Sequence, residues 1–178
     1  MAPPWGMIDL ETLATSPDAQ VLTIGCTKFD PFSFAPTHTD FYMRVDIGEQ
    51  EELGRVQSDD TLEWWGRQCA EAQEEAFTDD ERVDVRTMLR ALKKWYVGCE
   101  GIWQQGFMDT SIIEDMCRQM DEPIPWPHWQ VGDSRQFLKR MPHDPREDDK
   151  FLAHHALEDS KAQVLALRKT FAHFNMTK

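Results

Sequence analysis

The sequence predicts a mixed α/β sandwich, a sheet with helices packed on its faces. Three observations predict it. Strand-like runs at 7–13, 21–29 and 41–46 come early and are separated only by the turn-forming stretches TSPDA and DPFSFAPTH, so they pair antiparallel. Segment 83–97 has clear helical periodicity, with Val85, Met88, Leu89, Leu92, Trp95 and Tyr96 recurring on one face. Beyond it, strand and helix alternate to the C-terminus.

Taken in order, the first strand combines buried-strand character (Met7, Ile8, Leu10, Leu13) with two acids, Asp9 and Glu11, spaced two apart. In an extended chain both point to the same side. Carboxylates so placed repel and raise each other's pKa unless a cation holds them. After the third strand, a polar helix is expected at 49–54. A second follows at 61–68, with Asp60 as N-cap and Glu63 as its capping-box partner. The 83–97 helix packs on the sheet through its apolar stripe. A short strand at 101–105 leads to a helix presenting Ile112, Ile113, Met116 and Met120, with Asp109 as a cap where it starts at Thr110. DEPIPWPHW is a proline-rich turn and WQVGDSR a last short strand, where Asp133 is expected either to orient a neighbour or to cap a helix beginning at Ser134. The final helix, 153–173, is expected to bury Leu157, Val164, Leu165 and Phe171. No repeat or long linker divides the chain, so 1–178 reads as one domain.

At 178 residues, with 40% hydrophobic and 11% aromatic content, the chain can bury a substantial core. No apolar run approaches the ~20 residues that cross a bilayer. MAPPWGM lacks the basic and apolar regions of a leader, so a soluble cytoplasmic protein with no membrane partner is expected. Cys26, Cys69, Cys99 and Cys117 show no C-x-x-C spacing and are expected as free buried thiols. His38, His128, His143 and His173 show no paired ligand spacing, so no zinc site is expected. A net charge of -13 argues against broad tracking on duplex DNA. Positive ground is local, in SRQFLKRMPHDPREDDK, which carries Arg135, Lys139, Arg140, Arg146 and Lys150.

Asp9, Glu11, Asp109 and Asp159 come from strand ends and helices that converge at one edge of such a sheet. Four carboxylates gathered there call for hard divalent cations, Mg²⁺ or Mn²⁺. Two such ions about 4 Å apart would hold both the attacking and the leaving oxygen of an in-line displacement at phosphorus.

MIDLET, GFMD and HHALED resemble the three motifs of the DEDDh 3'→5' exonucleases, which share the RNase H-like fold. LETLATSPDAQVLTIG, TLEWWGRQCAEAQ and GDSRQ are similar to the branch containing phage exonuclease A and bacterial exoribonucleases. The resemblance implies an α/β RNase H-like mixed sheet, three antiparallel strands then two more, flanked by helices. It implies two Mg²⁺ or Mn²⁺ ions on Asp9, Glu11, Asp109 and Asp159, with His154 as general base. His154 is chosen over His155 because it alone completes H-x-A-x-x-D with Ala156 and Asp159. Substrate contacts are expected at Leu10, Thr12 and Leu13, at the aromatic Phe107 and Trp64, and at Arg135, Lys139, Arg140 and Lys150. Trp64 and Trp65 also read as core and cap residues of their helix. MPHDPREDDKFLA reads as a lid. Two departures stand out: Met108 precedes Asp109 where the family has phenylalanine, and Ala14 replaces a glycine. The implied partner is a single-stranded RNA or DNA 3' end, RNA slightly favoured, acted on by a monomer or a homodimer. A small-nucleotide phosphodiesterase and a non-catalytic nucleic-acid-binding relative are the alternatives.

Overall fold

The computed structural model describes residues 4–148 and 154–177. Its centre is a six-stranded mixed sheet in the order β4-β3-β2-β1-β5-β6. Strands β1 (Trp5–Thr12), β2 (Val21–Phe29) and β3 (His38–Val45) pair antiparallel, as their short connections require. β4 (Arg82–Val83) extends the sheet beside β3, while β5 (Ile102–Gln104) and β6 (Val131–Asp133) extend it beyond β1, all in parallel.

Alternation along β1 divides the core between the two faces. Ile8 and Leu10 join Ile24, Met88, Leu92, Ile112 and Met116, packing beneath α4 (Val85–Tyr96) and α5 (Met108–Gln119). Met7 points the other way and meets Val164, Leu167 and Phe171 of α7 (Ala156–His173) together with Phe29. Asp9 and Glu11 share the α7 side with Met7, as a period of two demands.

The remaining helices are α1 (Ile47–Glu52), α2 (Asp59–Trp65), α3 (Ala70–Phe77) and α6 (Arg135–Leu138). Several elements differ from expectation. Ser58, not Asp60, caps α2: its backbone is extended and its hydroxyl accepts from Thr61 N at 3.3 Å. Helix α3 has no counterpart in the sequence reading, because it buries only Ala72 and Ala76 and so carries little apolar periodicity. Val83 belongs to β4, and α4 starts only after Asp84, whose carboxylate accepts from Thr87 N at 2.8 Å. Asp109 lies inside the first turn of α5 rather than capping it.

On α7 the buried stripe runs through Ala156, Ser160, Gln163, Val164, Leu167, Arg168 and Phe171. Leu157 and Leu165 fall beside that stripe and are half-buried. Cys26 and Cys117 are buried free thiols, whereas Cys99 is half-buried and Cys69 exposed at the start of α3. The segment expected as a lid is described as far as a 3-10 turn at Pro145–Asp148; Lys150 lies outside the described residues. Among the described residues no helix is long and apolar enough to cross a membrane.

Candidate active site

Gly25 decides where α7 can lie. A Cβ at this position would fall 2.1 Å from Leu157 N and 2.2 Å from the Ala156 carbonyl carbon, so the first turn of α7 rests directly on the β2 backbone. Gly25 pairs with Asp9 on β1. Close approach at a residue without a side chain thus delivers the start of α7, with Asp159, to the acidic side of β1.

Four carboxylates meet there. Gln163, one turn beyond Asp159, donates its Nε2 to Asp9 Oδ1 at 2.6 Å. Asp109 approaches across the end of the sheet, and its Oδ1 accepts from Leu10 N at 3.0 Å. Asp159 Oδ2 accepts from His154 N at 2.8 Å. Glu11, His154 and Asp159 each offer a ligand atom, and these atoms all lie within 4.8 Å of one another. His155 points away: its ring lies 5.0 Å from that of Tyr42 on β3.

Crowding changes the protonation of these acids. Loss of water and then repulsion from Asp109, Glu11 and Asp159 raise Asp9 well above the ordinary range, with Gln163 opposing. Glu11 rises to about 8, chiefly by burial and then through Asp159 and Asp109. Burial lifts Asp109 to about 7 against the Leu10 N–H and the charge of Arg135. Asp159 is also raised by burial, less so because the His154 amide and both histidines favour its ionised form. Such a cluster is unstable as four bare anions. A divalent cation among them resolves both the repulsion and the unmet need for positive charge, and the oxygen-rich donor set suits a hard ion.

A cleft of about 580 Å³ opens beside the cluster, lined by Leu10, Glu11, Thr12, Ser58, Trp64 and Met108 among others. Trp64 is 37% exposed and its ring stands edge-on to His154 at 4.6 Å, whereas neighbouring Trp65 is 2% exposed. Trp65 anchors the helix by donating its indole N–H to Thr12 O at 2.9 Å. The two tryptophans therefore divide the roles that the sequence left joined. Phe107 is 66% exposed at the N-cap of α5. Arg135 reaches the same loop, donating to Gln105 O at 3.2 Å, while Asp133 caps its segment by accepting from Arg135 N and Gly106 N.

Other expected contacts lie apart from the cleft. Leu13 is buried against Leu22, Trp65 and Ala76, and its amide and carbonyl are taken by Gln20 O and Ser58 N. Lys139 lines a separate surface hollow with Arg135, His143 and Arg146, and Arg140 is exposed with a guanidinium hydrogen bond back to Gln136 O. Sequence reasoning missed Gln163 and Ser58. Gln163 carried a usable signal, being four residues and one helical turn past Asp159.

The sheet and its flanking helices form a mixed α/β fold. The crystal structure of cell-death related nuclease 4 (CRN-4) shares it with a TM-score of 0.64 at 14% sequence identity, over 96% of this chain. This chain spans 64% of the length of CRN-4. A search of curated proteins finds no match. The chain belongs to the Rv2179c-like 3'-5' exoribonuclease domain family, which it matches over residues 6–171.

Proposed function

We propose that this chain is a single-domain, two-metal-dependent 3'→5' exonuclease of the DEDDh type, releasing 5'-monophosphates from single-stranded or short nucleic acid. Family membership supports RNA as the polymer. The observation that carries the reading is the convergence of Glu11, His154 and Asp159 within 4.8 Å, with Asp109 close enough to raise Glu11 and Asp9 itself raised by Asp109, Glu11 and Asp159.

Asp9, Glu11, Asp109 and Asp159 would hold Mg²⁺ or Mn²⁺. A metal ion held there would supply Lewis-acid polarisation of the scissile phosphodiester and a more acidic water. His154 accepts the proton released as water attacks phosphorus, and the bond from phosphorus to the neighbouring 3'-oxygen breaks, leaving a 5'-monophosphate and a shortened strand with a 3'-hydroxyl. Its backbone is tied to Asp159 and its ring stands against Trp64, which lines the cleft. Gln163 fixes one oxygen of Asp9 and leaves the other for ligation. The exposed faces of Trp64 and Phe107 suit stacking of terminal bases, a contact that tolerates any sequence. Arg135, Lys139 and Arg140 supply positive charge for the backbone upstream.

The test is digestion of matched 3'-labelled and 5'-labelled RNA and DNA oligomers with Mg²⁺ or Mn²⁺. Stepwise shortening from the 3' end, with mononucleotide product and loss of activity in chelator, is expected. Endonucleolytic products or full activity in chelator would overturn the reading. The cleft volume also accommodates a small nucleotide; a panel of dinucleotides and cyclic nucleotides scored by product mass separates that second reading.

A further inference from the structure

The row of paired residues that crosses the sheet at Gly25 has Asp9 on one side and Tyr42 on the other. The next row runs from Glu11 through Thr23 to Arg44. The first turn of α7, seated on Gly25, thus lies between the acidic cluster and a second group of polar side chains on β3. Asp159 serves the first side. His155 serves the second.

His155 stacks near Tyr42, and its Nε2 lies 3.7 Å from Oε1 of Glu75 on α3. That oxygen also accepts from the Tyr42 hydroxyl and from Arg44 Nη2, the latter at 2.7 Å. Arg44 Nε further donates to the Glu75 carbonyl at 3.3 Å. Three elements of the fold therefore meet at one carboxylate. On its other ring nitrogen, His155 accepts from Glu158 N at 3.5 Å and caps α7.

One residue earlier the backbone is strained. His154 has φ 68°, a left-handed conformation that an L residue with a Cβ adopts at a cost and keeps only when its surroundings hold it. Two holds are visible. One is the bond from His154 N to Asp159, inside the acidic cluster. The other is the anchorage of His155, outside it.

We propose that Glu75, presented by Tyr42 and Arg44, is a positioning residue for the reaction: it anchors His155 and so fixes the strained His154 turn and the start of α7 over the acidic cluster. This rests on the exonuclease reading for its catalytic consequence, but the anchorage itself is independent of substrate. It also gives α3 a role beyond covering the sheet, since Glu75 is its contribution to the network.

The experiment compares wild type with Glu75→Ala, Glu75→Gln, His155→Ala and the double variant Glu75→Ala/His155→Ala. In metal-free protein, hydrogen exchange at amides 154–160 should accelerate in Glu75→Ala while the amides of α4 keep wild-type protection. In steady-state digestion, Glu75→Ala and His155→Ala should each lower kcat about tenfold with KM within about twofold. The double variant should be no worse than the poorer single one, because both remove the same anchor. Glu75→Gln keeps an oxygen for Tyr42 and Arg44 and should recover most of the rate. Additive losses in kcat, unchanged exchange at 154–160, or acceleration that spreads to α4 would overturn the proposal. If Glu75→Ala fails to fold, Tyr42→Phe removes only a hydroxyl and carries the same exchange test. A wild type that degrades no oligomer would refute the exonuclease reading, and the exchange data would still decide the anchorage.

Discussion

Neutralising Glu11 should make the metal-free protein more stable at alkaline pH, the reverse of what deleting a useful charge does. Glu11 is raised from an ordinary 4.5 to about 8 in the folded state. Between those values the folded chain binds a proton that the unfolded chain has lost, so stability falls as pH climbs through the window and levels off above about 8. Each pKa unit corresponds to about 1.4 kcal/mol, which puts the loss on the order of 5 kcal/mol. In a protein of this size that is a drop of roughly 10–20 °C in melting temperature. Asp109, raised to about 7, adds loss in the same direction over a lower window. Glu11→Gln keeps the shape but cannot ionise. Thermal melts of wild type and Glu11→Gln in chelator, at pH 5, 6.5 and 8.5, should therefore diverge, with the variant flatter and more stable at the top. Added Mn²⁺ should stabilise wild type most at pH 8.5, where protons compete least, by about 3 kcal/mol at a hundred times Kd. The variant should lose much of that gain. Parallel pH curves for the two proteins, or no metal shift at pH 8.5, would refute the idea that Glu11 sits in a repulsive carboxylate cluster.

Three further outcomes follow from the same geometry. His154→Ala should cut turnover by about 10²–10⁴-fold while leaving the Mn²⁺-induced rise in melting temperature largely intact; near-normal turnover would place the base elsewhere. Gly25→Ala should cost several kcal/mol, because the added methyl meets α7 backbone rather than a movable side chain, and the few molecules that fold should lack metal-induced stabilisation; a melting temperature within a few degrees of wild type would show that α7 can lift without penalty. Replacing Arg135, Lys139 and Arg140 together with Ala should raise KM more than it lowers kcat and should flatten the salt dependence of binding, as measured by titration of a labelled single strand; an unchanged salt slope would move the substrate path off this face.

Much of this architecture is legible without coordinates, and the reasons are local. A period of two places Asp9 and Glu11 on one side of β1 whatever they face, and α4 announces itself through six apolar residues on one stripe. Spacing likewise ties His154 to Asp159, because a capping carboxylate reaches back to the residues just before its helix. Helix α3 escaped because AEAQEEAF packs through two alanines, and Ser58 escaped because Asp60 offered an equally plausible cap. Leu157 and Leu165 look like core residues by type. The helix buries Leu167 in their place, alongside the expected Val164 and Phe171, since these three face Met7 and Phe29.

The sequence by itself determined the strand-then-helix order, the side of β1 that bears the acids and the separation of His154 from Asp159, all consequences of backbone periodicity. Tertiary structure alone decided that α7 rests on Gly25, that Gln163 grips Asp9, that Trp64 rather than Trp65 borders the cleft, and that Glu75 gathers Tyr42, Arg44 and His155. Each of these joins residues far apart in the chain. Their meeting depends on how closely two backbones can approach and on which polar atoms are left to pair once the core has closed, and neither quantity has a period that a linear reading can detect.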